Sequence, residues 1–331
     1  MSGDASFCKA AQKVAFGKEM DNVATIQSLA GSGALYLGAN FCNRYLPKET
    51  KVYFSDPTWE PHFTIFRHAG LHNIDKYPYY DESTKLLNFE KMYDGIKNAK
   101  ENSIILLHGA GHNPTGVDLN KSQWDSIAEV LHKKNHLAFI DLAYQGFATG
   151  SIDDDRYCTE TFAKNNVQFI VAQSFSKNLG LYNDRTGAMH VFCQSKEEAD
   201  RILPQITIGA RATYSNPPSH GEEIVKRIVH SEERTKEWKK ELASVSQRMK
   251  DMRKLLFEKL VKLQTPGNWE HIIKQVGMFT YTGLNEQQYK ILKDKYHVYI
   301  LWSGRLAIPN LTKHNIDYVA QSIHDLIVSK N

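Results

Sequence analysis

From Ala24 to about Phe192, apolar residues fall in short unbroken runs, and each run ends in a polar or glycine-bearing turn. Ala24-Thr25-Ile26-Gln27 leads into Gly31-Ser32-Gly33 and a helical pattern reaching Cys42. Lys51-Val52-Tyr53-Phe54 stops at Asp56-Pro57. Ser103-Ile104-Ile105-Leu106-Leu107 ends at His108 and a loop to Gly116. His136-Leu137-Ala138-Phe139-Ile140 ends at Asp141, and Gln168-Phe169-Ile170-Val171-Ala172 ends at Ser174. Strands that are apolar throughout, separated by helical patterns, predict an α/β fold: a mostly parallel central sheet sandwiched by helices. In such sheets ligands gather beyond the carboxyl ends of the strands, where His108, Asp141 and Ser174 stand.

From about His230 to Leu263 the pattern becomes one long charged helix. Trp238, Leu242, Val245, Met249, Met252, Leu256, Leu260 and Leu263 recur every three or four residues, and Pro266-Gly267 ends the run. One apolar stripe of this kind predicts core packing. Beyond it, Met278–Tyr281 and Val298–Leu301 read as strands, with helices near Glu286–Lys295 and Thr312–Val328. The organisation expected is a large domain over residues 1–240. A smaller C-terminal α/β domain over 241–331 includes the second half of the connecting helix.

Composition narrows the partners. The 331 residues are 41% hydrophobic and 24% charged with a formal charge of +4, an ordinary globular balance. Lys and Arg form no dense cluster, so no nucleic-acid partner is expected. No apolar run approaches the roughly 20 residues that cross a bilayer, and the first 20 residues lack the pattern of a signal or transit peptide. Cys8, Cys42, Cys158 and Cys193 are far apart and predict reduced thiols, not a disulfide framework or zinc site. His108 and His112 are four apart, but Gly109, Gly111 and Pro114 make that stretch a loop, so no metal site is expected.

Three local patterns carry candidate chemistry. In Ser174-Phe175-Ser176-Lys177-Asn178, a lysine follows a buried strand end and is flanked by hydroxyls, with Arg185 eight residues on. Desolvation and a cationic neighbour lower a lysine's pKa and make its amine nucleophilic, while Ser174, Ser176 and Arg185 suit phosphate oxygens. Ala30-Gly31-Ser32-Gly33-Ala34 links a strand to a helix start, where free N–H groups attract an anion. Asp141, with Tyr144 three residues later, could face a protonated ring nitrogen. Each pattern alone also fits an ordinary structural role: a surface lysine, a tight turn, a helix cap.

Taken in order, the motifs resemble fold-type I pyridoxal-phosphate enzymes, specifically the class I aspartate aminotransferases. The likeness runs from the turn at Ala30 to the final helix. Its markers are Pro57-Thr58-Trp59, His112-Asn113-Pro114-Thr115-Gly116, Asp141-Leu142-Ala143-Tyr144-Gln145-Gly146-Phe147, Gln173 to Asn178, Tyr214-Ser215-Asn216-Pro217-Pro218, Gly277-Met278-Phe279 and Ser303-Gly304-Arg305. The resemblance implies a pyridoxal 5'-phosphate-binding large domain and a Schiff base at Lys177, which also moves the proton between substrate and cofactor. Asp141 is then the partner of the pyridine nitrogen, supported by His62 and His108, and Trp59 stacks on the ring. Asn113 and Tyr144 bond the phenolic oxygen; Gly31, Ser32, Ser174, Ser176 and Arg185 form the phosphate cup. Arg305 holds the substrate's alpha-carboxylate. Arg211 reads the distal carboxylate from the other subunit of a homodimer.

The activity implied is amino transfer between L-aspartate and 2-oxoglutarate, giving oxaloacetate and L-glutamate. Some positions depart from the family pattern: Ala30 and Ser32 replace more usual residues in the turn, and Pro61 is expected to shift the loop holding Trp59 slightly. Met1 to Phe7 resembles the middle of the family pattern, which raises the alternative of a shortened, catalytically impaired form that acts as a binding or interaction protein. An aromatic-accepting aminotransferase is a second alternative. A nicotinamide dehydrogenase fails for want of a glycine fingerprint, since Pro114 interrupts the nearest candidate. Ser174 to Lys177 and Leu181 to Arg185 look more like cytosolic than mitochondrial members.

Overall fold

The computed structural model describes residues 2–329, so Met1 and residues 330–331 lie outside it. Eleven strands are present among the described residues: β1 (Val23–Leu29), β2 (Val52–Asp56), β3 (Ile74–Pro78), β4 (Tyr80–Asp81), β5 (Leu86–Leu87), β6 (Ile104–His108), β7 (Leu137–Leu142), β8 (Phe169–Ser174), β9 (Thr186–Phe192), β10 (Phe279–Tyr281) and β11 (Arg305–Ala307). The helices of the first half are α1 (Ala5–Phe16), α2 (Ala30–Tyr45), α3 (Pro61–His68), α4 (Phe89–Asn98), α5 (Lys121–Lys133), α6 (Ile152–Asp155) and α7 (Tyr157–Lys164). Those of the second half are α8 (Lys196–Tyr214), α9 (His220–Val229), α10 (Glu232–Lys262), α11 (His271–Lys274), α12 (Glu286–Tyr296) and α13 (Ile316–Val328).

Seven strands form the central sheet in the order β1-β9-β8-β7-β6-β2-β3. Its pairs are parallel except those that β9 makes with β1 and β8. Alternate residues of one strand enter different cores. Ile105, Leu107, Ala138, Ile140, Phe169 and Val171 pack on one face; Ile104, Leu106, Phe139, Ile170 and Ala172 pack on the other. Helices cover both faces, which is why these strands are apolar at every position. The register sets His108 beside Asp141 and Ser174 beside Gly187, near the carboxyl ends of β6, β7 and β8.

The stripe on α10 packs into a third core, shared with α1, α12 and α13. Here the sequence expectation needs correction. Val245 is 47% exposed, and the buried face runs instead through Ser246 and Arg253. Val298–Leu301 is also not a strand. That segment is irregular, with Tyr299 and Leu301 exposed, and β10 pairs instead with β11, which begins four residues after Leu301. Helix α13 starts at Ile316, with turns before it from Thr312. β9 received no prediction of its own. Its Thr186, Gly187 and His190 break the apolar run, although all three are buried.

Candidate active site

The pocket begins where β1 meets α2. Leu29 caps α2 without a side-chain hydrogen bond, so no side chain occupies the positive end of the helix, and Gly31 and Ser32 in its first turn line the pocket. Ala30 and Arg185 both take positive φ, 55° and 51°, and the Ala30 N–H donates to the Arg185 carbonyl at 3.1 Å. That turn aims the Arg185 side chain back at α2, where Nη2 donates to Ser32 Oγ at 3.1 Å. Ser174, ending β8, donates from Oγ to Ser176 Oγ at 3.0 Å. Gly31 sits so close that a β-carbon there would stand 3.2 Å from Ser174 Cβ. Hydroxyls, a guanidinium and helix N–H groups thus converge as an anion cradle.

Next to the cradle, Lys177 extends its amine over the rings of Tyr144 (5.1 Å to the centroid) and Tyr182 (5.2 Å). Burial pulls its pKa below the usual lysine range, helped by Arg185 and opposed by Asp141. Across the pocket, burial alone would raise the Asp141 carboxyl. The hydrogen bond from His62 and the electrostatic pull of His62, His108 and Lys177 outweigh burial and hold it below the usual carboxylate range.

Behind Asp141 runs a chain of hydrogen bonds. His62 Nε2 lies 3.2 Å from Asp141 Oδ2, His62 Nδ1 lies 2.9 Å from Thr58 Oγ1, and Thr58 Oγ1 lies 3.1 Å from His108 Nε2. The Asn113 N–H donates to His108 Nδ1 at 3.4 Å, which puts the proton of a neutral His108 on Nε2 and lets Thr58 accept it and donate to His62. Burial, reinforced by the neighbouring His62, drives His108 down to about 3. Thr58 joins two rings yet received no role from sequence, because one hydroxyl in a loop carries no local signal.

On the open side, Asn113 Nδ2 donates to the Tyr144 hydroxyl at 3.4 Å, and Arg305 donates to Asn113 Oδ1 at 2.6 Å. The Trp59 ring meets His62 edge-on at 5.3 Å.

Gly31, Ser32, Trp59, Asn113, Asp141, Tyr144, Ser174, Ser176, Lys177 and Arg185 therefore line one pocket, with Ala30, Leu35, Ala143 and Tyr182. Leu35, Ala143 and Tyr182 received no role from sequence; Tyr182 lay within a quoted motif, but its 60% exposure leaves no burial pattern to read. His62 and His108 stand behind Asp141. Arg211 does not line this pocket; it is exposed on α8. Both nitrogens of His112 meet hydroxyls, those of Ser55 and Thr115, and no group of three or more His, Cys, Asp or Glu side chains suited to a metal occurs among the described residues.

One atom tests what the pocket can hold. Asp141 Oδ1 is buried without a hydrogen-bond partner, a rare state for a buried carboxylate oxygen. A ring N–H⁺ from a bound heterocycle would satisfy it. An anion cradle, an amine of lowered pKa and a carboxylate with one free oxygen fit the phosphate, the aldehyde and the ring nitrogen of pyridoxal phosphate.

Comparison with known proteins shows the family. The profile of the family "Aminotransferase class I and II" matches residues 1–323. The chain is 42% identical to the cytoplasmic aspartate aminotransferase of Dictyostelium discoideum, over 99% of this chain and 76% of that protein. It superposes on a mitochondrial aspartate aminotransferase of Trypanosoma brucei with a TM-score of 0.96 at 40% identity, covering 98% of this chain and 87% of the other. An aromatic-amino-acid aminotransferase of Burkholderia pseudomallei, solved covalently bound to pyridoxal phosphate, superposes with a TM-score of 0.95 at 37% identity, covering 98% and 82%. The chain belongs to the class I and II aminotransferase family.

Proposed function

We propose that this chain is an aspartate aminotransferase, moving an amino group between L-aspartate and 2-oxoglutarate to give oxaloacetate and L-glutamate. The observation that carries the reading is the pairing, across one small pocket, of the Lys177 amine with a buried carboxylate that keeps one oxygen unpartnered. Identity near 40% to relatives named aspartate aminotransferases supports the choice of substrate.

Bound here, pyridoxal phosphate supplies an aldehyde that couples to amines and a cationic ring that draws electrons from the substrate's alpha carbon. Lys177 anchors it. The lowered pKa of Lys177 leaves more of its amine neutral, so Nζ can take the alpha proton and return it. Asp141, oriented by His62, keeps the ring nitrogen protonated. Tyr144 and Asn113 bond the ring's phenolic oxygen, and Trp59 covers one face. Gly31, Ser32, Ser174, Ser176 and Arg185 hold the phosphate. Arg305 binds the alpha-carboxylate as a planar fork suited to two oxygens.

In this reading the protein works as a homodimer, with Arg211 serving the distal carboxylate in the neighbouring subunit's site. We also propose the division into residues 1–240 and 241–331, with α10 crossing the boundary, and a cytoplasmic compartment, favoured by the Ser174–Lys177 and Leu181–Arg185 motifs. Fractionation of cells expressing the tagged chain tests the last point.

The activity is tested by spectroscopy. Incubation with pyridoxal phosphate should give a visible absorption band that is absent in Lys177→Ala, bleached by aspartate and restored by 2-oxoglutarate. A parent chain without such a band ends the proposal.

A further inference from the structure

A buried guanidinium ties the long helix to the segment that carries Phe279. Arg253 of α10 is only 3% exposed, and among the described residues its partners are all backbone carbonyls. Nη1 donates to Ile272 O at 3.0 Å. Nη2 donates to Val276 O and Gly277 O, both at 3.0 Å, and to Phe279 O. A buried cation is tolerable only when it finds acceptors, and one segment, residues 272–279, supplies those of Nη1 and Nη2.

Through Phe279 that segment touches Tyr144, which lines the pocket. The Arg305 guanidinium lies 4.0 Å from the centroid of the Phe279 ring, and the Tyr144 ring meets it at a steep angle at 5.7 Å. Arg305 in turn donates to Asn113. The same segment closes on the loop that carries Asn113. The Val276 N–H donates to Gly116 O at 2.6 Å, and a β-carbon on Gly116 would sit 2.5 Å from Phe279 O. A shift of these carbonyls would therefore move the platform under Arg305.

We infer that Arg253 is a positioning residue for carboxylate recognition: by gathering the carbonyls of residues 272–279 it sets Phe279, and Phe279 sets Arg305. The inference rests on the reading that Arg305 binds a substrate carboxylate. Lysine keeps the charge, but its donors radiate from one point and cannot reproduce the planar fork.

Full-length Arg253→Lys, Phe279→Leu and the double variant test it. Two readouts apply: KM and kcat for aspartate in protein loaded with pyridoxal phosphate, and calorimetric affinity for the dicarboxylate maleate. Arg253→Lys should raise KM and weaken maleate binding by about tenfold, while kcat and the cofactor absorption band stay near those of the parent. The double variant should bind maleate no more weakly than Phe279→Leu alone, because both changes act through one ring. Unchanged KM and maleate affinity in folded Arg253→Lys, additive losses in the double variant, or parent-like maleate binding by Phe279→Leu each overturn it. The last holds even if Arg253→Lys does not fold. A parent that binds maleate without turning over aspartate defeats the proposed function, and the maleate cycle still decides on Arg253. A parent that binds no maleate defeats the inference.

Discussion

His62 holds one oxygen of Asp141 at 3.2 Å and leaves the other with no partner. The histidine fixes the carboxylate's orientation from behind, so the free oxygen is presented to whatever enters the pocket. A carboxylate placed this way is worth more as a charge than as a shape.

Asp141→Asn keeps the shape and removes the charge. Removing one partner of a buried ion pair costs about 3–5 kcal/mol, so kcat/KM for aspartate should fall by about two to nearly four orders of magnitude. Steady-state kinetics check this, with the absorption band confirming that cofactor still binds. A loss under tenfold would argue against an ionic role for Asp141.

Acid should destabilise the protein through its buried histidines. Burial holds both His108 and His190 at about 3, whereas an unfolded histidine titrates near 6.5. Between those values the unfolded chain binds more protons, so stability is full above about pH 6.5, falls as pH drops, and levels off near 3. His190 sits between Thr25 Oγ1 and Gln173 Oε1, each at 2.9 Å. Replacing it with glutamine, which cannot titrate, should make the stability lost between pH 7 and pH 5 smaller by about 2 kcal/mol. Urea unfolding at the two pH values measures this, and parallel losses in parent and variant would refute it.

Thr58→Val should separate support from chemistry. The change leaves His62 Nδ1 and His108 Nε2 without the hydroxyl they share, and an unsatisfied buried polar group costs about 1–3 kcal/mol. Calorimetry should show a lower melting temperature. Cofactor binding should persist, since Thr58 does not line the pocket.

How far the sequence reveals this site depends on what each residue does locally. β6, β7 and β8 are legible because both faces of each strand are buried, so burial leaves no polar position in the run. The residues just past their ends inherit a predictable location. β9 is buried as completely, but Gly187 is there because a β-carbon would strike Gln173 O at 2.5 Å and Ala30 at 2.7 Å, a reason visible only in three dimensions. Val298–Leu301 shows the opposite failure. Its composition suits a strand, yet the small sheet holds only β10 and β11. Thr58 and Arg253 act through partners far away in the chain, and no periodicity encodes such partners. The gathering of Trp59, Asp141 and Lys177 around one pocket became legible only through resemblance to a family.

Arg211 offers the sharpest test, because it is exposed on α8 and absent from the pocket lining of its own chain. If it serves the neighbouring subunit's site, Arg211→Ala should lose about 30- to several thousand-fold in kcat/KM toward aspartate, from the roughly 2–5 kcal/mol typical of a truncated desolvated pair. Turnover of phenylalanine, which has no distal carboxylate, should change little. Mixing Arg211→Ala with Lys177→Ala then distinguishes a role between subunits from one within a subunit. Each variant alone should be nearly inactive toward aspartate. After subunit exchange, half the dimers are hybrids. In each hybrid one site pairs an intact Lys177 with an intact Arg211, so the mixture should recover roughly one quarter of parental activity. A mixture as inactive as its components, with exchange verified by mass spectrometry, would show that Arg211 does not complete a site across a dimer.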